Sequence, residues 1–325
     1  MHIRQVIINL GSAMLLTACA SFNAAPTPTL IPTLTPSIPP SPVIAPITPP
    51  PFTPIPTLIA RTQTPAVSLS VPPATFYPED QVISIGESWE GRELKMWQFG
   101  SGQHVIVLIG GIHAGFEANT VRLGELLVEH FKHNPADVLP DVHLYIMPLA
   151  NPDGLRYGDT LKGRLNSRGV DLNRNWGCEW SDEANVHNTP VSPGTRPFSE
   201  IETFTLRAFL AAVEPEAVVF YHSAVGGIFM GECQGVQPGS DWMPIVLERA
   251  TGYPHRRFTY YDVTGDATNW LAERGIPSAV IELATANQPE FEQNLAGVIA
   301  LQCYLVITNN TELLNQPDVQ RLCKK

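Results

Sequence analysis

Apolar and polar residues alternate through VISIGESWEGRELKMWQFG (82–100), and the interruption at Trp89-Glu90-Gly91-Arg92 predicts a β-hairpin. The pattern then changes. HVIVLIGG (104–111) is a continuous β-branched run ending in Gly-Gly, which predicts a parallel strand buried on both faces. ANTVRLGELLVEHF follows, with apolar residues at 121, 126, 127 and 131 at a helical period. DVHLYIMPLA (141–150) predicts another strand, closed by the turn Asn151-Pro152-Asp153-Gly154. Ser199-Glu200-Ile201-Glu202 has the form of a capping box and predicts a helix running to about Val213. PEAVVFYHS (215–223), GYPHRRFTYY (252–261) and GIPSAVIELA (275–284) predict further strands, with Thr268–Arg274 helical between the last two. A final helix covers about Glu290–Thr308. Strands alternating with helices give an α/β fold: a mixed, mainly parallel central sheet flanked by helices on both faces.

In open sheets of this class, ligands bind beyond the carboxyl ends of the strands. Chemistry-bearing side chains collect at those ends here. His113 follows HVIVLIGG, Glu117 comes four residues later, and His222 closes AVVFYHS. Two imidazoles and one carboxylate are the inventory of a catalytic zinc site with an open fourth position. A spacing of four sets two side chains on one helical face. Glu282 in AVIELAT is an acid at the end of an otherwise apolar strand, which is costly unless it has a partner or a task. Arg164, Asn173 and Arg174 supply guanidinium and amide groups suited to a substrate carboxylate.

The motifs GGIHAGFE, NPDG, the Arg164/Asn173-Arg174 block, TRPFSEIE, YHS, YDVTG and IEL occur in the order seen in zinc carboxypeptidases of the M14 family. The chain resembles that family from about Ile83 to about Asn309. The resemblance implies one Zn2+ held by His113, Glu117 and His222, and Glu282 as general base. It implies that Arg164 polarises the scissile carbonyl, with Arg168 as the alternative. Asn173 and Arg174 would hold the substrate's terminal carboxylate, and Tyr261, next to Tyr260, would close over it. Asp266 and Thr268 fall near the pocket for the terminal side chain, although Asp266 is equally placed to cap the helix that follows. One departure stands out: the family spacing is His-x-x-Glu, whereas this chain has Phe at 116 and Glu at 117. The implied activity is hydrolysis of the C-terminal bond of extracytoplasmic peptides by a metal-activated water. Alternatives are a murein stem-peptide peptidase acting beside diaminopimelate, an N-acyl amino acid deacylase, and a non-catalytic peptide-binding module.

Composition divides the chain. Residues 26–78 contain 17 of the 31 prolines, and no Asp or Glu precedes Glu79. Such a stretch cannot bury enough apolar surface to offset ordering entropy, so 19–78 is expected to be a Pro/Thr-rich disordered linker and 79–325 one catalytic domain. Arg4, the apolar run Val6–Leu16 and Leu16-Thr17-Ala18-Cys19 resemble a bacterial lipoprotein signal over 1–18, with Cys19 lipidated after cleavage. A membrane-anchored, extracytoplasmic lipoprotein follows from this reading. All 31 acidic residues but 18 of the 20 basic ones lie in 79–325, a formal charge of −13, which argues against nucleic acid as partner. The remaining cysteines, Cys178, Cys233, Cys303 and Cys323, are even in number and allow three pairings; for an exported protein Cys178–Cys233 is preferred, which leaves Cys303 near Cys323.

Overall fold

A computed structural model describes residues 82–309 and 311–323. The signal, the linker and Cys19 lie outside the described residues. Strands β1 (Val82–Glu87) and β2 (Glu93–Gly100) form the hairpin, with Glu87 opposite Glu93 across the tight turn. Next come β3 (His104–Ile109), α1 (Ala118–His133) and β4 (Val142–Met147). The short helix α2 (Leu161–Arg164) and the small hairpin of β5 (Ala184–Val186) and β6 (Thr189–Val191) precede α3 (Ile201–Val213). Then follow β7 (Ala217–Ser223), β8 (Gly227–Met230), α4 (Met243–Thr251), α5 (Ala267–Glu273), β9 (Ser278–Leu283), α6 (Phe291–Asn309) and α7 (Pro317–Cys323).

The main sheet has seven strands in the order β1-β2-β4-β3-β7-β9-β8. Its central four, β4, β3, β7 and β9, are parallel, and the edges are antiparallel. Burial on both faces explains the unbroken apolar runs. Ile106 and Leu108 pack with Leu123, Leu127 and Phe131 of α1 and with Leu301 of α6, while Val107 and Ile109 face Leu206 and Leu210 of α3. Beneath the carboxyl edge, Trp176 and Trp270 pack at 5.3 Å between ring centroids, with Phe198 and Phe220 around them. This buried aromatic group is the floor on which the loops of the site rest. Both disulfides form, Cys178–Cys233 and Cys303–Cys323.

Two local expectations fail for physical reasons. Residues 252–261 are not a strand. The edge of β9 is already taken by β8, a short antiparallel return after β7, and the backbone of 252–261 bonds to β8 at Ile228 alone, through Ile228 N to Pro254 O and Arg256 N to Ile228 O. The capping box at Ser199 does not form either. Glu200 is the residue that precedes α3 and makes no side-chain cap, while the Ser199 hydroxyl donates to the Glu200 carboxylate. Glu202 instead accepts from the Trp89 backbone N–H at 3.3 Å, which ties α3 to the hairpin turn. The turn at 151–154 forms as expected, with the Gly154 N–H donating to the Asn151 side chain.

Candidate active site

Chain direction and register bring the reactive residues together. The run of β3 ends at Gly110-Gly111, where a Cβ on Gly110 would stand 2.7 Å from Thr120 O, so the chain can turn there only without side chains. His113 follows one residue later, after Ile112, and Ala114–Glu117 forms a 3-10 turn. The extra residue is absorbed in that turn, with Ala114 at φ +38°, and Glu117 returns to His113. In the parallel pairing of β7 with β9, His222 lies opposite Glu282.

His113, Glu117 and His222 are all buried, and their donor atoms lie within 4.8 Å of one another. His113 Nδ1 is 2.7 Å from Glu117 Oε1. His222 Nδ1 is 3.1 Å from Glu117 Oε2 and 3.1 Å from His113 Nδ1. Two ring nitrogens 3.1 Å apart and facing one carboxylate need either a shared proton or a cation. Glu117 Oε2 and both Nε2 atoms also lack an aligned hydrogen-bond partner. The donor set of two imidazoles and a carboxylate suits Zn2+ and leaves a coordination position for substrate or water. Burial alone would raise the Glu117 carboxyl, but the two facing histidines outweigh it and hold the group far below the usual carboxylate range. The ligand position is therefore ionised across the working pH range. Glu117→Ala should accordingly fail to retain stoichiometric zinc after dialysis, as read by metal analysis; full occupancy would remove Glu117 from the ligand set.

Asp171, which sequence reasoning passed over, organises this centre. It is fully buried, with Oδ1 3.3 Å from His113 Nε2 and Oδ2 accepting from Arg164 Nε at 2.7 Å. A carboxylate behind a metal-binding imidazole sets its orientation and tautomer. Burial disfavours the Asp171 charge, yet Arg164 and His113 overcome that and hold its carboxyl well below the normal value. Arg164 is itself buried and places its guanidinium 3.5 Å from Glu117. Arg168, the alternative, is 45% exposed and lies over the Trp89 ring near Glu200, outside the cleft.

Glu282 lines the same cleft, and its Oε2 is buried without a partner. Burial pushes its carboxyl up to about 7; the Glu117 carboxylate adds to the rise, while His222 and Arg164 oppose it. Arg174 is 2% exposed. Its guanidinium donates to backbone carbonyls of Asn173 and Asn185 and lies 5.8 Å from the centre of the Tyr261 ring. Among the described residues, no carboxylate lies within ion-pair distance of it. Tyr261 faces the cleft against His187 and Phe258, whereas Tyr260 is 49% exposed at the rim.

Asp266 caps α5 by accepting from the Thr268 and Asn269 backbone N–H groups. Its second oxygen accepts from Asn173 Nδ2 at 2.7 Å, and Asn173 Oδ1 in turn accepts from the Ala267 N–H. Cap and cleft wall are thus one structure, since Asn173, Asp266 and Thr268 all line the cavity.

Comparison with known proteins agrees with this geometry. Residues 74–230 match the zinc carboxypeptidase (Peptidase_M14) family model. Carboxypeptidase B of Astacus astacus is 38% identical over 157 residues, covering 41% of this chain and 50% of that protein, so the chain spans only half of this relative's length. Among solved structures, bovine thrombin-activatable fibrinolysis inhibitor superposes with a TM-score of 0.60 at 21% identity, over 72% of this chain and 93% of that one. The murein-tripeptide amidase MpaA of Escherichia coli O157 gives 0.53 at 21% identity, over 70% and 93%. At such identities the structural likeness establishes the fold.

Proposed function

The chain belongs to the zinc carboxypeptidase family M14, and from that premise we propose that it removes single residues from the C-terminus of extracytoplasmic peptides. The observation that carries this reading is Arg174: a buried guanidinium in a cleft that donates to backbone carbonyls and has no carboxylate within ion-pair distance among the described residues. Burying a cation without a direct carboxylate partner is expensive, and the fork geometry of guanidinium matches a carboxylate. A substrate with a free C-terminus supplies the missing partner. Asn173 braces the loop that carries Arg174, and Tyr261 covers the same end of the cleft.

Bound to His113, Glu117 and His222, Zn2+ supplies the Lewis acidity that polarises a carbonyl and acidifies water. The chain's own residues do the rest. Glu282 takes the proton of the attacking water and returns it to the leaving amine. Arg164, held by Asp171, neutralises the developing charge on the scissile oxygen. The fixed separation of Arg174 from Arg164 and the metal ligands restricts cleavage to the last bond.

A second reading is supported by the likeness to the murein-tripeptide amidase. The carboxylate of Glu232 along the cleft suits a substrate that carries a second amine beside its terminal carboxylate, as diaminopimelate does. Both disulfides fit an oxidising, extracytoplasmic compartment. Together with the Leu16–Cys19 signal and the proline-rich segment, they support a lipoprotein anchored to a membrane through Cys19. No helix among the described residues is long and apolar enough to cross a membrane.

The test is a peptide library that includes murein stem peptides, digested and read by mass spectrometry before and after chelation and zinc reloading. Loss of one C-terminal residue at a time, abolished by the chelator and restored by zinc, is expected. Internal cleavage, or activity indifferent to the chelator, would overturn the assignment. Selective cleavage of the stem peptides would favour the second reading.

A further inference from the structure

The cleft contains an aromatic side chain that none of these roles uses. Phe116 stands in the four-residue spacing between His113 and Glu117, is half-buried, and lines the cavity of about 920 Å³. Its backbone is held tightly. A Cβ on Gly115 would lie 2.8 Å from the backbone of Gly158, and one on Gly163 would lie 2.0 Å from Gly158 O and 3.2 Å from Phe116 N. The 114–117 turn and the 158–164 segment therefore meet backbone to backbone, and neither can slide to tuck the ring away. Phe116 also joins none of the apolar clusters among the described residues. Its ring contact is with Arg164, whose guanidinium carbon lies 5.8 Å from the ring centroid.

Position indicates what such a surface receives. On the exopeptidase reading, the terminal carboxylate sits at Arg174 and Tyr261, and the scissile carbonyl at Arg164 beside the metal ligands. A peptide passing through those two points continues past Glu117 and Arg164, on the wall built by 114–117 and 158–164. The Phe116 ring lies against Arg164, at the scissile-carbonyl position, while Arg174 lies against Tyr261, so on this reading the wall borders the substrate upstream of the cleaved bond. We propose that Phe116 forms the subsite for the side chain that precedes the scissile bond, and that it selects apolar residues, above all aromatic or branched ones. An apolar side chain laid on the ring removes both surfaces from water, while glycine leaves the ring wet. The proposal rests on the exopeptidase reading and adds a second determinant of specificity, separate from the pocket for the terminal side chain.

The test uses the zinc-loaded full chain and four N-acylated dipeptides with one common C-terminal residue and Gly, Ala, Leu or Phe before it. In the wild type, kcat/KM for the Phe substrate should exceed that for Gly by about 10-fold or more, mainly through KM, in line with the discrimination available to an apolar pocket. In Phe116→Ala this ratio should fall to about 2–3-fold, while Phe116→Leu keeps most of it. Zinc content, measured separately, should match in all three proteins. Calorimetric binding of the same peptides to Glu282→Gln and to Glu282→Gln/Phe116→Ala repeats the comparison without turnover. A ratio of wild-type size in Phe116→Ala, in turnover or in binding, overturns the subsite. If the wild type neither cleaves nor binds any of the four, the exopeptidase reading falls and takes the subsite with it.

Discussion

Glu282→Gln should lower kcat by about 10²–10⁴-fold, the contribution expected of a positioned general base, while zinc content and peptide affinity persist. The amide keeps the shape of the carboxylate but cannot take a proton. The other carboxylates beside the metal position are already engaged. Glu117 is engaged by both histidines and held ionised at the metal position, and Asp171 is occupied by Arg164 and His113. The charge states agree with this division of labour. Burial pushes Glu282 up to about 7, where a carboxylate is a far better proton acceptor than an ordinary glutamate. A bound cation draws that value down, so the ascending limb of kcat/KM should lie below neutrality and be absent in Glu282→Gln. The metal-free protein offers a check that needs no turnover. A carboxyl whose folded value exceeds its unfolded value costs stability as pH rises from the ordinary glutamate value of 4.5 through about 7. Metal-free Glu282→Gln, which cannot ionise, should therefore gain on metal-free wild type over that window when denaturant midpoints are compared. Parallel midpoints from acid to mildly alkaline pH would show that Glu282 is not a buried acid whose ionisation costs stability.

Much of this centre is legible in the sequence because one physical cause produces both the pattern and the site. Strands β3, β7 and β9 are buried on both faces, so their runs are continuously apolar, and any polar residue at their ends is conspicuous. His113, His222 and Glu282 stand out for that reason. The departures come where long-range convergence, rather than local pattern, decides. Asp171 in GVDLNRNW resembles a turn residue locally; its importance arises because the fold sets it between His113 and Arg164. Arg164 is the better match to the motif and Arg168 its alternative, and burial beside Asp171 favours Arg164. The segment 252–261 carries the residue types of a strand, but the β9 edge is already occupied by Gly227–Met230, a run too short and glycine-bordered to stand out. The four-residue spacing from His113 to Glu117 is accommodated by a 3-10 turn with a positive φ at Ala114, which residue preferences disfavour.

Arg174→Ala should lower kcat/KM on free-acid peptides by about 10²–10³-fold or more, because it deletes one partner of a buried, charge-assisted pair. The same loss is predicted when the partner is deleted from the other side. Amidating the substrate's C-terminus removes the carboxylate and leaves Arg174 buried and unmatched, so the wild type should discriminate against the amide by a similar factor. In Arg174→Ala the amide and the acid should differ little. The two changes are then strongly non-additive, as expected when both remove a single interaction. Asn173 and Tyr261 confine the effect to this end of the cleft: Asn173 is fixed by Asp266 and the Ala267 N–H, and Tyr261 packs toward Arg174. Zinc binding, which depends on His113, Glu117 and His222 at the other end, should be untouched in Arg174→Ala. The outcome that would count most heavily against this scheme needs no mutant. If the wild type hydrolyses amidated and free-acid peptides at equal rates, Arg174 is not a carboxylate clamp, and the cleft belongs to an endopeptidase whose register is set by something other than the chain terminus.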